Sequence, residues 1–169
     1  MRVMVTGGAG FIGSHLVEAL VARGLEVVVY DNLSSGTIDN LASVRSDPRV
    51  RFVRGDVRDL EPLVESMGGC EAVFHMAANP EVRMGDPRVH FENNLLGTFN
   101  VLEAMRRADV REMVFASSST VYGEAAALPT PEDYAPMWPI SVYGASKLGC
   151  EALISSYVHT YGIRALILR

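Results

Sequence analysis

The sequence predicts an α/β fold in which helices cover both faces of a doubly wound parallel sheet. Two observations carry this prediction. Short apolar runs alternate along the chain with longer segments whose apolar residues recur at helical spacing. The first run, residues 3–5, leads directly into a glycine-rich turn that opens a helical segment. Because strands that alternate with helices are joined by right-handed crossovers, the sheet is expected to be parallel.

The glycine-rich turn is the most informative stretch of the chain. Residues 6–13 read Thr-Gly-Gly-Ala-Gly-Phe-Ile-Gly, with Gly7, Gly10 and Gly13 spaced as in dinucleotide-binding turns. One glycine permits the tight turn, one lets the backbone approach a pyrophosphate, and one lets the helix pack on the sheet. The helix N-terminus then offers free N–H groups to the phosphates. The turn therefore predicts a Rossmann-type dinucleotide site, and the alternative is a purely structural turn.

An acidic residue follows the second predicted strand, residues 25–30. Asp31 lies 18 residues after Gly13, where a Rossmann unit places the carboxylate that binds the adenosine ribose. The alternative is an aspartate that stabilises a turn or caps a helix. A carboxylate here repels a 2′-phosphate, and no arginine is adjacent in the sequence, so NAD is expected rather than NADP.

The remaining elements continue the same alternation. A loop at residues 33–36 precedes a short helix at 38–44, and Pro62 marks the first turn of a helix that begins near residue 60. A polar loop is predicted at residues 79–87. Further strands are predicted at residues 50–53, 72–76, 112–116 and 164–169, and further helices at 91–107 and 143–161.

Two polar residues at predicted strand ends leave alternatives open. Asp56, after the third strand, either meets the adenine amino group or caps the following helix. His75, at the end of the fourth strand, is interpreted as a packed, hydrogen-bonded histidine in preference to a catalytic one. The carboxyl ends of parallel strands share one edge of the sheet. The glycine turn, Asp31, Asp56, Ala77 and the serines after the fifth strand therefore all fall at the expected ligand site.

A tyrosine and a lysine open the last predicted helix. Tyr143 and Lys147 are four residues apart, so a helix places them on one face. To act as a base near neutral pH, a tyrosine must lose about three pKa units, or about 4 kcal/mol. A cation about 4 Å away supplies about 4 kcal/mol at an effective dielectric constant of about 20. Lys147 is thus predicted to activate Tyr143 as a base for a substrate hydroxyl, while Ser118 hydrogen-bonds the same oxygen. The alternative is an ordinary surface pair.

The composition disfavours several classes of function. A net charge of −5 argues against a nucleic-acid partner, because nucleic-acid binding usually shows a basic surplus. No apolar run approaches the roughly 18 residues of a membrane span. Because Met1 and Arg2 lead straight into a strand, no signal peptide is expected. Cys70 and Cys150 lack metal-ligand spacing and are expected to be reduced thiols of a cytoplasmic protein without a bound metal.

At these motifs the chain resembles the extended short-chain dehydrogenase/reductases, and among them the nucleotide-sugar 4-epimerases of the UDP-glucose (UDP-galactose) 4-epimerase type. The resemblance covers all 169 residues. It rests on the glycine turn and on the motifs at residues 31–33, 55–57, 75–78, 94–98, 117–123 and 143–147. It implies Ser118, Tyr143 and Lys147 as the catalytic triad. It also implies NAD as the cofactor, with contacts from Phe11, Ile12, Asp31, Asn32, Ser35, Gly36, Asp56, Val57, Ala77, Asn94, Tyr143 and Lys147.

One short segment favours an epimerase within this family. Related 4,6-dehydratases carry an Asp-Glu pair before the Val-Tyr-Gly motif, and sugar-acid decarboxylases carry a Glu, whereas this chain has Ser119 and Thr120. Without those carboxylates no group expels water across C5–C6, and reversible oxidation and reduction at C4 of a UDP-sugar remains. Pro80 replaces the lysine of some galactose epimerases, so that nicotinamide-ribose contact is not expected. Epimerisation of a UDP-uronate or UDP-N-acetylhexosamine is one alternative, and a non-catalytic NAD-binding module is another.

The resemblance also bears on domain organisation and assembly. Residues 1–169 are expected to form the NAD-binding domain, with the C-terminal substrate domain absent from this chain and little activity in the chain alone. In proteins of this kind the helices at 91–107 and 143–161 pair with those of a second copy as a four-helix bundle. A helix buries only one stripe against its own sheet, so apolar residues on both sides of the second helix support a homodimer. These residues are Leu148, Leu153, Ile154 and Val158.

Overall fold

Six parallel strands form the sheet that the sequence predicts. The computed structural model describes residues 1–81 and 86–169. Its strands are β1 (Arg2–Thr6), β2 (Glu26–Asp31), β3 (Val50–Arg54), β4 (Ala72–His75), β5 (Glu112–Ala116) and β6 (Arg164–Leu168). Their order in the sheet is β3-β2-β1-β4-β5-β6. This is the order of two mononucleotide-binding halves, which confirms the predicted Rossmann-type fold.

Helices connect the strands throughout the described ranges. They are α1 (Phe11–Ala22), α2 (Leu60–Met67), α3 (Pro87–His90), α4 (Gly97–Arg107) and α5 (Val142–Tyr161). Short 3₁₀ turns occupy Ile38–Leu41 and Ser119–Tyr122, and a π-helical turn at Phe91–Leu96 joins α3 to α4. Each helix that the structure describes falls short of the length or the apolar character that a membrane crossing demands.

Two hydrophobic clusters show that helices cover both faces of the sheet. Val5 of β1 packs in one cluster with Val17 of α1. Met4, its neighbour in the strand, belongs to the other cluster, with Leu102 of α4 and Ile154 of α5. Successive side chains of a strand point to opposite faces, so adjacent residues of β1 serve different clusters. The strands read as continuous apolar runs because the parallel sheet is buried on both faces.

The segment before α4 differs most from its prediction. The helix predicted at 91–107 begins earlier, at Pro87, and passes through the π-helical turn. The Asp86 carboxylate caps it by accepting a hydrogen bond from the Arg88 N–H at 2.9 Å. An aspartate followed by proline is a signal for the start of a helix, and the prediction of a loop at residues 79–87 did not use it. Residues 82–85 of that loop lie outside the described residues.

The other predicted short helix, at residues 38–44, is also shorter than expected. Only Ile38–Leu41 is helical, as a 3₁₀ turn. The Thr37 hydroxyl accepts a hydrogen bond from the Asp39 N–H at 3.4 Å and so begins the turn. Apolar spacing over seven residues is too short to distinguish a 3₁₀ turn from an α-helix.

The topological switch point lies between β1 and β4. Strand β1 pairs with β2 on one side and with β4 on the other. The connection after β1 leads to β2, and the connection after β4 leads to β5 on the opposite side. The two connections therefore leave a crevice between them at the carboxyl ends of the strands, which is where ligands of such sheets bind.

Candidate functional site

A cleft at this edge of the sheet brings together most of the residues predicted to form the site. Predicted residues in its lining are Gly7, Gly10, Phe11, Ile12, Gly13, Asp31, Asn32, Ser35, Val57, Ala77, Tyr143 and Lys147. Four predicted residues do not line it: Gly36, Asp56, Asn94 and Ser118. The lining also includes residues that were not predicted: Tyr30, Ser34, Gly55, Met76, Ala78, Pro80, Asn93, Ala116 and Ser117. These lie within a few positions of predicted residues, so their place beside strand ends is the signal that could have found them.

The glycine turn is packed too closely to accept larger residues. Gly7 has φ +68°, and a Cβ built on it would lie 2.6 Å from the Ala77 nitrogen at the end of β4. A Cβ built on Gly13 would lie 2.2 Å from the Gly7 carbonyl oxygen. The turn is thereby held flat against the sheet, with backbone and no side chain between the strand ends and the cleft. This geometry fits a ligand whose phosphate groups contact the protein backbone of the turn.

The first turn of α1 supplies hydrogen-bond donors to the same cleft. Gly10 is the N-cap residue and has no side chain to satisfy the free N–H groups that follow it. Phe11 and Ile12 of this turn line the cleft and are 80% and 65% exposed. Free N–H groups and the positive end of the helix dipole favour an anionic ligand at this position.

Asp31 joins two turns beneath the cleft. One carboxylate oxygen accepts a hydrogen bond from the Ala9 N–H at 2.9 Å, and the other accepts one from the Leu33 N–H at 2.8 Å. The turn-stabilising interpretation of Asp31 is thus confirmed. An ionised carboxylate has about four acceptor sites, so two remain for hydroxyl groups in the cleft. The ribose contact stays a prediction.

Asp56 lies beside the cleft, where its carboxylate is hydrogen-bonded to one charged and one polar side chain. It accepts hydrogen bonds from Arg58 at 2.7 Å and from the Asn32 amide at 2.9 Å. The Arg58 guanidinium holds the pKa of the Asp56 carboxyl at about 2, so it is ionised at neutral pH. The alternative that Asp56 caps α2 is wrong, because Asp59 occupies the N-cap position.

His75 is a packed core histidine, as the preferred interpretation holds. Its ring nitrogens lie 2.7 Å from the Thr6 hydroxyl and 3.0 Å from the Thr98 hydroxyl, and it is fully buried. Burial lowers the pKa of His75 to about 3, so the ring is neutral. This neutral bridge ties β1 and β4 to α4 directly behind the switch point.

Asn94 lies behind the cleft wall in the π-helical turn. Its side-chain oxygen accepts a hydrogen bond from the Asn79 N–H at 2.7 Å, and its amide donates to the Ser146 hydroxyl at 2.9 Å. It is 1% exposed. Asn94 thus fastens the segment after β4 to α5, and in this structure it shapes the cleft without lining it.

Tyr143, Lys147 and Ser118 meet at the other end of the cleft. The Ser141 hydroxyl caps α5 by accepting a hydrogen bond from the Gly144 N–H at 3.0 Å. This start places Tyr143 and Lys147 in the first two turns of α5. Ser118 lies close enough to Tyr143 to lower the pKa of its phenol, and its hydroxyl accepts a hydrogen bond from the Thr120 N–H at 3.2 Å. The structure therefore brings the three predicted residues into one cluster.

The pKa values of this cluster are set mainly by burial. Burial raises the pKa of the Tyr143 phenol, and Ser118 opposes this only in part. The Lys147 ammonium donates to the Ala116 carbonyl at 2.8 Å and lies 6.0 Å from the Tyr143 ring centroid. The Lys147 ammonium and the Tyr143 ring are therefore neighbours across the first two turns of α5. Burial also lowers the pKa of Lys147 to about 8, so it remains mostly protonated at neutral pH.

Removal of the buried charge at Lys147 gives a pH-dependent stability prediction. Folding lowers the Lys147 pKa from 10.5 to about 8, which corresponds to about 3 kcal/mol of cost to the folded state. This cost is fully present below about pH 8 and disappears as the pH rises to 10.5. The free energy of unfolding of Lys147→Met, minus that of the wild type, should therefore shrink by about 3 kcal/mol across this window. Urea unfolding at both ends measures it, and a constant difference would show that Lys147 is not a buried cation.

Comparisons with known proteins agree with this architecture. Residues 4–169 match the family model described as GDP-mannose 4,6 dehydratase. The chain is 42% identical over 172 residues to a putative UDP-glucose 4-epimerase of Methanocaldococcus jannaschii, covering 99% of this chain and 54% of that protein. The chain thus spans about half the length of the curated relatives it matches.

Solved structures show the same similarity. The UDP-glucose 4-epimerase of Thermus thermophilus in complex with NAD is 44% identical with a TM-score of 0.90, covering 100% of this chain and 54% of that one. A dTDP-glucose 4,6-dehydratase from Streptomyces venezuelae with NAD bound is 40% identical with a TM-score of 0.93, covering 99% and 54%. Both reaction classes therefore share this half of the fold.

Proposed function

Because this chain belongs to the extended short-chain dehydrogenase/reductase family, we propose that it is the NAD-binding part of a nucleotide-sugar 4-epimerase of the UDP-glucose/UDP-galactose type. The observation that carries the proposal is the cluster of Tyr143, Lys147 and Ser118 at one end of a switch-point cleft that has the glycine turn at its centre. A module that only binds a dinucleotide has no need of a buried lysine beside a half-buried phenol and hydroxyl. NAD, when bound, accepts a hydride from the substrate carbon and returns it.

The residues of the cleft fit NAD. The glycine turn and the free N–H groups of α1 would hold the pyrophosphate, and Asp31 would bind the adenosine ribose. Asn32, Ser35 and Gly36 would follow the adenosine, with Asp56 and Val57 beside the adenine. Ala77, Tyr143 and Lys147 would face the nicotinamide end. The turn approaches Ala77 closely, since a Cβ on Gly7 would meet its backbone at 2.6 Å. This supports a path for the dinucleotide across the switch point, over backbone with no intervening side chain at Gly7.

The chain's own residues would manage the proton at the substrate hydroxyl. The Tyr143 Oη would take the proton from the C4 hydroxyl and return it to the same oxygen, after the 4-keto sugar has turned to present its other face for reduction. The Ser118 hydroxyl would hydrogen-bond the same oxygen as it changes between hydroxyl and carbonyl. Lys147, protonated at neutral pH, would stabilise the negative charge on Tyr143. Because burial raises the pKa of Tyr143, this support must supply at least about 4 kcal/mol.

The segment after Ser118 favours an epimerase over a dehydratase. Ser119 and Thr120 occupy a 3₁₀ turn, and the Thr120 hydroxyl donates to the Ser118 hydroxyl at 2.9 Å. No carboxylate stands at either position to protonate a leaving hydroxyl. The lack of a carboxylate at these two positions therefore supports an epimerase in preference to a dehydratase.

Turnover by the full-length protein tests this proposal. Incubation with UDP-galactose is expected to give UDP-glucose, without net consumption of NAD, and no 4-keto-6-deoxy product should form from UDP- or dTDP-glucose. Turnover of a UDP-uronate or UDP-N-acetylhexosamine alone would assign the other epimerase class. Firm binding of NAD with no turnover of any of these sugars would contradict the enzyme assignment and favour a binding module.

Asp31 is predicted to set the preference for NAD over NADP. Asp31→Ala removes up to two charge-assisted hydrogen bonds to the ribose, which weakens NAD binding by roughly ten- to a hundredfold. It also removes the repulsion of a 2′-phosphate, so discrimination against NADP should fall. Calorimetric titration with both dinucleotides measures the two effects. Asp39→Ala, an exposed acid of the following 3₁₀ turn, is the control for net charge. An unchanged NAD/NADP ratio in Asp31→Ala would refute the assignment.

The substrate nucleotide is proposed to bind mainly through residues outside this chain. In a full-length protein, the cleft described here would present the reacting sugar carbon to Tyr143, and a further domain would hold the nucleotide. Positioning can supply roughly 7–11 kcal/mol of a reaction barrier, so this chain alone should turn over UDP-sugars slowly or not at all.

A homodimer through α4 and α5 is a further part of the proposal. The structure corrects the residues expected to drive it, because Ile154 is buried and Leu153 and Val158 pack against the chain's own core. The exposed large apolar residues of these helices are instead Phe99, at 40%, Val142, at 49%, and Tyr161, at 42%. Light scattering at micromolar concentration should give the mass of a dimer, and a monomer mass would contradict the interface.

A further inference from the structure

A buried carboxylate that the proposed chemistry does not use lies one helical turn beyond Lys147. Glu151 is 5% exposed. One of its oxygens accepts a hydrogen bond from the Ser117 hydroxyl at 2.5 Å, and the other accepts one from the Arg169 guanidinium at 2.7 Å. Buried charges occur in proteins where they are paired and hydrogen-bonded, and both oxygens of Glu151 are.

These contacts join three elements next to the cleft. Ser117 follows β5, Arg169 follows β6, and Glu151 lies on α5. The two strand ends are also linked to each other, because the Ser117 N–H donates to the Leu168 carbonyl at 2.7 Å. Ser117 lines the cleft and directly precedes Ser118, which lowers the pKa of Tyr143. A change at Glu151 can therefore displace Ser118, through its neighbour Ser117, and also Tyr143 and Lys147, which lie on the same helix as Glu151.

We infer that Glu151 is a positioning residue of the proposed active site, which it holds by tying α5 to the ends of β5 and β6 through Ser117 and Arg169. The inference rests on the proposed function. The same carboxylate also has an electrostatic effect on Lys147. Its negative charge lies on the same helical face as Lys147, four residues on, where it favours the protonated lysine.

Several titratable and polar groups face Lys147 from the elements packed around it. Tyr143 and Cys150 face Lys147 from α5, and burial raises the pKa of both, so they are uncharged. His75 faces it from β4 and is neutral, because burial lowers its pKa to about 3. From β5 come the Phe115 ring and the Ala116 carbonyl, which carry no net charge. Cys150 and Glu151 both oppose the burial that lowers the pKa of Lys147, and of these two neighbours Glu151 is the carboxylate.

Two substitutions of opposite charge separate this role from simple loosening. Glu151→Gln keeps the shape but removes the anion and leaves the Arg169 cation uncompensated, so the Lys147 pKa should fall by about one unit or more. Arg169→Gln leaves the anion unneutralised, so the Lys147 pKa should rise. A merely structural role would not move the pKa in opposite directions.

The pKa can be measured directly in the full-length protein. Lys147 is the only lysine within the 169 residues. Lysine-selective ¹³C labelling therefore gives an NMR signal that is identified by its absence from Lys147→Met. Glu103→Gln is the matched control, because Glu103 also accepts from a hydroxyl, that of Tyr157, and from Arg106. It should leave the Lys147 titration unchanged.

Kinetics with the UDP-sugar complete the test. Glu151→Gln should lower kcat by about tenfold with little change in KM, and should move the basic limb of the kcat profile down with the Lys147 pKa. Coincident Lys147 titrations in the wild type, Glu151→Gln and Arg169→Gln would overturn the inference. If the wild type itself turns over no nucleotide sugar, the proposed function fails while the NMR titration still decides the role of Glu151.

Discussion

Replacing Tyr143 with phenylalanine is expected to lower kcat by about 10²–10⁴-fold, which is the contribution typical of a positioned general acid or base. The substitution removes one oxygen atom. Its ring keeps the contacts to neighbouring residues, including the edge-on contact with His90, whose ring centroid lies 6.0 Å away. The fold and the affinity for NAD should therefore change little.

The measurement is turnover of the UDP-sugar at saturating concentration, with NAD affinity and thermal unfolding measured in parallel. Tyr161→Phe, at the far end of the same helix, is the control and should keep full activity. A Tyr143→Phe protein with kcat within about threefold of the wild type would remove Tyr143 from the mechanism.

Gly13→Ala is expected to destroy the cofactor site. The added Cβ would lie 2.2 Å from the Gly7 carbonyl oxygen and 2.7 Å from the Gly8 Cα. Both contacts are to backbone, so relief requires α1 to move away from the glycine turn. We expect NAD affinity to fall by more than a hundredfold, with a loss of stability of about 1–3 kcal/mol from overpacking.

Calorimetry with NAD and thermal unfolding give the two values. Gly68→Ala is the matched control. A Cβ there would meet only the Glu65 carbonyl oxygen at 3.4 Å, an ordinary contact. If Gly13→Ala binds NAD as tightly as the wild type, the helix start does not hold the pyrophosphate.

The sheet and the centre of the site were predictable because local signals and topology agree there. The glycine turn, Asp31 and the pair Tyr143 and Lys147 are each encoded by spacing within one segment. Once the strands are parallel, their carboxyl ends must share one edge, so these separate segments meet without any knowledge of side-chain packing.

The features that were missed depend on contacts between distant segments. The π-helical turn buries Asn94 against Ser146 and Asn79, and no local sequence pattern predicts those hydrogen-bond partners. The pKa of Tyr143 depends on its burial and on Ser118, and the Lys147 ammonium is held by the Ala116 carbonyl; a spacing of four residues predicts none of these contacts. Glu151 did carry a signal, since it lies on the helical face of Lys147, but its burial was not visible in the sequence.

The fate of the hydrogen at the sugar C4 tests the central claim most directly. The full-length protein is incubated in ordinary water with UDP-galactose that carries deuterium at C4, and the UDP-glucose formed is examined by NMR and mass spectrometry. In the proposed reaction Tyr143 exchanges only the hydroxyl proton, and the hydrogen on carbon leaves and returns within the closed cleft. The account predicts full retention of deuterium at C4 of the product. Loss of the deuterium to solvent would mean that the carbon is deprotonated by a base, and would contradict the account.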